Sequence, residues 1–135
     1  MKLINTLTII TWLLVMLVAC GGTGGDPLNG TAWELYAISK HRPIEGSHIT
    51  IAFEDGQVSG NSGCNSYGGD YQVDGEKIEF GMLMSTLMAC ADPAMMEQET
   101  TFMQHLGEAG RFKLADGQLL IYWSEHEALT FVSAQ

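Results

Sequence analysis

From Thr31 onward the chain alternates between apolar and polar positions. Trp33, Leu35 and Ala37 are interleaved with Glu34, Tyr36 and Ile38, and Ile49, Ile51 and Phe53 with His48, Thr50 and Ala52. A period of two puts each set on one face of an extended chain, so both runs read as half-buried strands. Glu54-Asp55-Gly56, Asp74-Gly75 and Asp116-Gly117 separate further runs of this kind, and Asp-Gly readily takes the positive backbone angles of tight hairpin turns. The strands so implied are Gln57 to Gly60, Tyr71 to Val73, Lys77 to Phe80, Phe112 to Ala115, Leu119 to Trp123 and Ala128 to Val132. The pattern predicts an α+β domain that is mainly antiparallel β.

One segment follows a different period. Asp92 can cap free amides and Pro93 suits a first helical position, so a helix is predicted over Ala94 to Leu106, with Gly107 as its stop. At 100° per residue Met95, Met96, Phe102, Met103 and Leu106 are assigned to the face that packs on the sheet. Glu99 lies near the middle of that face. A carboxylate there is costly without partners, so Glu99 is expected to accept hydrogen bonds from a neighbouring loop or else to escape to solvent at the edge.

The first residues read as an address rather than as fold. Met1-Lys2 is a minimal basic start, and Leu3 to Val18 is an apolar run broken mainly by Asn5, as in a signal-peptide core. It falls short of a clean spanning helix, and no cationic anchor follows it. Leu17-Val18-Ala19-Cys20 resembles a bacterial lipobox. That resemblance implies cleavage before Cys20 and acylation of its thiol and new amino group. The expected organisation is a lipoprotein signal peptide at 1–19, a lipid-anchored Gly-rich tether at 20–29 and one domain at 30–135.

Composition narrows the chemistry. The 135 residues carry 6 Lys and Arg against 16 Asp and Glu, a net charge of −10, and loss of Lys2 with the leader makes it more negative still. Nucleic acid is excluded as a partner because phosphate binding needs clustered cations. Anionic headgroups are disfavoured for the same reason, which leaves the lipid on Cys20 to hold the protein at a membrane. Of the 3 cysteines, acylation of Cys20 leaves Cys64 and Cys90. In an oxidising compartment a disulfide is the economical reading; a nucleophilic thiol is the competing one and needs a base that neither cysteine has nearby in sequence.

The stretch GNSGCNSYGGDY, residues 60–71, then poses a question: catalytic loop, ligand loop or structural staple. Gly63-Cys64-Asn65-Ser66-Tyr67-Gly68-Gly69-Asp70-Tyr71, then Thr86-Leu87-Met88-Ala89-Cys90, then Met96-Glu97-Gln98-Glu99 with Phe102 and Leu106, are similar to the paired signatures of the META domain, the HslJ-like family. Trp33-Glu34-Leu35 fits as well, and the likeness covers about 28–131. It implies a small barrel-like sheet with one α-helix packed on it, an envelope or secreted setting, links to heat shock, antibiotic tolerance or virulence, paired motif cysteines and no established catalytic residues. Under that resemblance Gly63, Asn65, Tyr67, Gly69, Tyr71 and Glu99 are structural motif residues. The staple reading follows, with Gly63 and Gly69 permitting sharp turns, Asn65 bonding nearby amides and the tyrosines supplying apolar bodies with polar ends.

Sharper chemistries are weighed against bland ones. Met82, Met84, Met88, Met95, Met96 and Met103 with four histidines could suit monovalent copper, but methionine also fills irregular cores. Gly60-Asn61-Ser62-Gly63 is not a nucleophile elbow. Glu54/Asp55 and Asp74/Glu76 sit at turns without calcium-loop spacing. The expectation is a non-enzymatic envelope lipoprotein without a cofactor, facing the periplasm from the outer membrane if the host is Gram-negative, and serving in stress tolerance or in docking an envelope protein. The alternative is a carrier of an apolar ligand or acyl chain in the barrel mouth, its cavity lined by Met82, Met84, Phe102 and Trp123. A thiol- or metal-dependent activity ranks behind both.

Overall fold

The computed structural model describes residues 24–134. The expected signal peptide, the lipobox-like stretch and Cys20 lie outside these residues. The elements are β1 (Thr31–Ile38), β2 (Thr50–Glu54), β3 (Gln57–Asn61), β4 (Ser66–Asp74), β5 (Lys77–Phe80), β6 (Met84–Ser85), α1 (Pro93–Gly107), β7 (Arg111–Ala115), β8 (Gln118–Tyr122) and β9 (Ala128–Ser133).

Eight of the strands close a ring. All pairings are antiparallel, in the order β3-β2-β1-β9-β8-β7-β5-β4, and β3 pairs back onto β4 to shut the barrel. Hairpins of the Asp-Gly kind supply the local pairs: Asp55 and Gly56 have φ of 49° and 78°, Asp116 and Gly117 of 53° and 72°, as a two-residue type I′ turn requires. The third turn sits one residue later than predicted, at Gly75-Glu76 between Asp74 and its partner Lys77, with positive φ at Gly75. β1 and β9 supply a long-range closure, running from Trp33↔Ser133 to Ile38↔Leu129. The β5–β7 junction is the thinnest, with Lys77↔Arg111 as its paired position.

The interior is filled by side chains that strand alternation turns inward, among them Ile51, Phe53, Val58, Ile78, Leu119, Ile121 and Phe131. Helix α1 adds Phe102 and Leu106, both fully buried. Phe102 meets Tyr67 and Phe131 edge-on, with ring centroids 5.6 and 6.4 Å away. Burying two such side chains is worth about 1.5–3 kcal/mol each, enough to hold the helix on the barrel. The helix starts as predicted, with the Asp92 carboxylate accepting from the Ala94 N–H at 2.9 Å and Pro93 in the first turn.

Four expectations are corrected. The helix face is narrower than assigned, because Met96 lies about 120° round the axis from Phe102 at 3.6 residues per turn; it is exposed, while Met95 and Met103 are half-buried. The segment Tyr71 to Val73 is the end of a longer strand that begins at Ser66. β6 was not anticipated. The folded domain also begins before the expected boundary at 30: Leu28 is fully buried in the core, its N–H bonds the Asp26 carboxylate at 2.9 Å, and the Asn29 side chain accepts from the Asp55 N–H at 2.8 Å.

Candidate functional site

The loop Ser62-Gly63-Cys64-Asn65 joins β3 to β4 and closes on itself through the Ser62 N–H and the Asn65 carbonyl, 2.8 Å apart. Gly63 has φ of 131°, a backbone state that favours glycine, and its N–H donates to Asn61 Oδ1 at 2.8 Å. This geometry aims successive N–H groups of Cys64 and Asn65 at one point. Glu99 of α1 occupies it: Oε2 accepts from Cys64 N–H at 3.0 Å and Asn65 N–H at 2.9 Å and lies 2.8 Å from the Ser62 hydroxyl, while Oε1 accepts from Asn65 Nδ2 at 2.6 Å. Burial works to raise the Glu99 carboxyl's pKa, and the hydrogen bonds from Asn65, Ser62 and the two backbone amides outweigh it, holding the group below its ordinary value. Of the two fates predicted for Glu99, loop anchoring is the one observed.

Asn65 faces a second way. Its side chain is buried, and its remaining valences go to the segment before the helix: Nδ2 donates to the Met88 carbonyl at 3.1 Å, and Oδ1 accepts from the Met88 N–H at 2.7 Å and the Thr86 hydroxyl at 2.9 Å. The amide thus pairs with both backbone groups of Met88, as a strand would. All of its hydrogen-bonding capacity is used.

The clamp continues on both sides. β6 pairs with β4 at Tyr67↔Ser85 and Gly68↔Met84, and the Thr86 N–H donates to the Ser66 carbonyl at 3.0 Å. Cys64 and Cys90 form a disulfide with Cα atoms 5.7 Å apart, and the Cys90 N–H donates to the Met96 sulfur at 3.4 Å. Gly69 allows this close approach, since a Cβ there would stand 2.7 Å from the Met82 carbonyl. The tyrosines of the motif anchor its other flank. Tyr67 is buried and donates to the Thr50 carbonyl at 2.8 Å, and Tyr71 is buried and donates to Asp26 Oδ2. Burial pushes both phenols up, with Asp26 adding to the effect at Tyr71.

Most side chains on the clamped backbone point outward, while Leu83 packs against the core. Met82 is 84% exposed, Met84 71%, Leu87 95% and Met88 62%. Between this strip and α1 runs an open groove of about 440 Å³, lined by Leu87, Met88, Met96, Thr100 and Met103 beside the Asn65–Glu99 pair. Met82, Met84, Leu87 and Met88 thus form an exposed apolar patch on an ordered backbone, interrupted by half-buried Leu83 and by Ser85 and Thr86.

Sequence reasoning singled out the clamp residues Gly63, Cys64, Asn65, Gly69, Cys90 and Glu99, and the structure brings all six together. It assigned no hydrogen-bonding role to Ser62, Thr86 and Asp26, short polar residues with partners distant in sequence. It also missed the display of Leu87 and Met88; the signal was available in the run without a charge between Glu79 and Asp92, Phe80 to Ala91. Glu54, Asp55, Asp74 and Glu76 are exposed at hairpin ends. Among the described residues no three His, Cys, Asp or Glu side chains are grouped to hold a metal ion.

These features define a class of protein: a small closed antiparallel barrel with a packed interior, whose distinctive chemistry lies in a loop clamped to one helix. Within that class the chain belongs to the META domain family, whose model matches residues 26–135. A protein from Burkholderia xenovorans with an NMR structure is 27% identical, with a TM-score of 0.66 over 80% of this chain and 84% of that one. A second NMR structure, 23% identical with a TM-score of 0.64, covers 78% of this chain and 91% of the other. A DUF4847 family protein from Bacteroides vulgatus shares the fold at 14% identity, with a TM-score of 0.57 over 78% of this chain and 93% of its own. No curated protein matches the chain.

Proposed function

We propose that this protein is a non-enzymatic, lipid-anchored envelope module that docks a protein partner on the apolar strip Met82 to Met88 and the groove beside it. The observation that carries the reading is the pairing of exposure with restraint. Every side chain from Met84 to Ala89 is exposed, yet the backbone beneath is held by β4, by the Asn65 amide and by the disulfide at Cys90. A preorganised apolar surface loses little conformational entropy on binding, which favours a contact face over a loose loop. Methionine adds adaptability to the partner's shape. The net charge of −10 favours a partner with an apolar centre and a basic rim. Envelope location and anchorage through Cys20 rest on the leader sequence, and a part in stress tolerance rests on the family resemblance.

The carrier reading draws less support, because its four lining residues do not share a cavity. Phe102 is sealed in the core, Met82 and Met84 are outside it, and Trp123 stacks on His105 with ring centroids 3.9 Å apart.

A photo-crosslinking side chain at Leu87 in the full chain, expressed in bacterial envelopes, tests docking. One protein adduct of defined mass is expected, lost on Met88→Asp and absent when the crosslinker sits at Glu34, three strands away round the barrel. An adduct that survives Met88→Asp, or none from Leu87, rejects the docking reading.

A further inference from the structure

Methionine is distributed unevenly in this fold. Met1 and Met16 precede the described residues, and the other six of the 8 methionines fall between positions 82 and 103. None belongs to the buried core, which is built from Leu, Ile, Val, Ala, Phe and Tyr; only Met103 packs at its margin as a partly buried side chain. Methionine is ordinarily a common filler of cores. Here its thioethers are gathered on one surface, and the remaining sulfur of the described domain, Cys64–Cys90, is already a disulfide.

That separation has a chemical consequence. Thioethers react with two-electron oxygen donors to give sulfoxides, at rates that follow access to the sulfur, and the product is polar and reducible by dedicated reductases. Access is graded along the strip. Met82, Met84 and Met88 are the most exposed; Met96 is less so, at 42%, and its sulfur accepts the Cys90 N–H; Met95 and Met103 are half-buried.

We propose that Met82, Met84 and Met88 form a reversible oxidation site that converts the apolar strip into a polar one while the barrel stays folded. The oxidant is a hypohalous acid or a peroxide. With hypochlorous acid, a sulfur lone pair takes the oxygen, the O–Cl bond breaks, and chloride and a proton leave: R–S–CH3 + HOCl → R–S(=O)–CH3 + H+ + Cl−. Sulfur is oxidised by two electrons and chlorine is reduced by two. With hydrogen peroxide the second product is water. The strip is where the protein can accept this change without loss of packing, because the side chains being made polar contribute little to the core. The regulatory consequence, release of a docked partner under oxidative stress, rests on the docking reading; the site itself does not.

The test is a titration of the purified full chain with hypochlorous acid, mapped by peptide mass spectrometry, with unfolding and binding of a solvatochromic hydrophobic dye followed on the same samples. Met82, Met84 and Met88 are expected to gain one oxygen each several-fold sooner than Met95 and Met103, with an unchanged unfolding midpoint and a several-fold fall in dye binding that methionine sulfoxide reductase restores. In the triple variant Met82→Leu, Met84→Leu, Met88→Leu the dye signal is expected to be insensitive to the same dose. Equal oxidation rates at all six positions, unfolding that accompanies the first three oxygens, or dye binding that does not respond in the natural chain would each overturn the proposal. None of these readouts needs a partner, so failure here and failure of the crosslinking experiment are separate results.

Discussion

Asn65 grips both oxygens of Glu99, its backbone N–H donating to Oε2 at 2.9 Å and its side-chain amide to Oε1 at 2.6 Å. Because the same amide also pairs with the backbone of Met88, one residue joins the β3–β4 loop, the helix and the displayed strip. Removing the carboxylate by Glu99→Ala strands the amides of Cys64 and Asn65, and a hydrogen bond to a charged group is worth about 1.5–3 kcal/mol net. A loss of about 2–4 kcal/mol is expected by urea denaturation once some of those donors are taken up by water. Asn65→Ala is expected to cost a similar amount. The double variant should lose well under the sum, since either change alone breaks the shared network. Additive losses would show that the two residues act independently.

The same network makes stability depend on pH in a definite direction. Glu99 is held below its ordinary value of 4.5 in the folded protein, so unfolding takes up a proton as the solution is acidified. The stabilisation it provides is complete above the ordinary value and is lost as pH falls through the lower folded value. The other carboxylates form a background common to the natural chain and a Glu99→Gln variant. The difference in urea midpoint between the two is therefore expected to be constant at neutral pH and to shrink below about pH 4.5. A difference that grows on acidification would mean that burial, not hydrogen bonding, governs Glu99.

The disulfide closes a separation of 26 residues, and constraining the unfolded chain over such a loop contributes about 3 kcal/mol on the chain-entropy account. Reduction, or Cys64→Ala with Cys90→Ala, is expected to lower the melting temperature by on the order of 10 °C. Hydrogen-exchange protection should fall first at 86–90. An unchanged melting temperature after complete reduction and alkylation would remove the staple from the stability account.

Most of the barrel was legible because its strands are half-buried, and burial writes a period of two into residues such as Trp33, Leu35 and Ala37. The elements that escaped lack that signature. β6 exposes both of its residues, so nothing in its composition alternates, and its existence depends on backbone contacts with Tyr67 and Gly68. The start of β4 was obscured by Gly68-Gly69, a pair that strand preferences disfavour and that is used here for close approach. Glu99 could be read as a hydrogen-bond acceptor because a carboxylate among apolar helical positions needs partners. The second hold of Asn65, on Met88, could not, since it depends on how far the chain returns after β5. Ring closure was illegible for the same reason: β1 meets β9, and β5 meets β7, across long stretches of sequence.

Gly69 tests whether that return path is as tight as the contacts imply. A Cβ at this position would lie 2.7 Å from the Met82 carbonyl and 3.1 Å from a Leu83 methyl, and the nearer atom is backbone, which cannot rotate aside. Gly69→Ala must therefore push residues 82–83 away from β4, at a cost of about 1–3 kcal/mol for overpacking. The displacement should propagate into β6, whose Met84 pairs with the adjacent Gly68, and loosen the strip without opening the ring at β3–β4. Amide exchange is expected to accelerate at Met84 and Thr86 while Val58 and Ile121 in the barrel stay protected. Gly81 is the control: a Cβ there would meet the Asp70 side chain at 3.5 Å and its carbonyl at 3.6 Å, which is ordinary contact, so Gly81→Ala should leave exchange at Met84 unchanged. If Gly69→Ala is as harmless as Gly81→Ala, the strip is not held against β4 as tightly as docking on a preorganised surface requires.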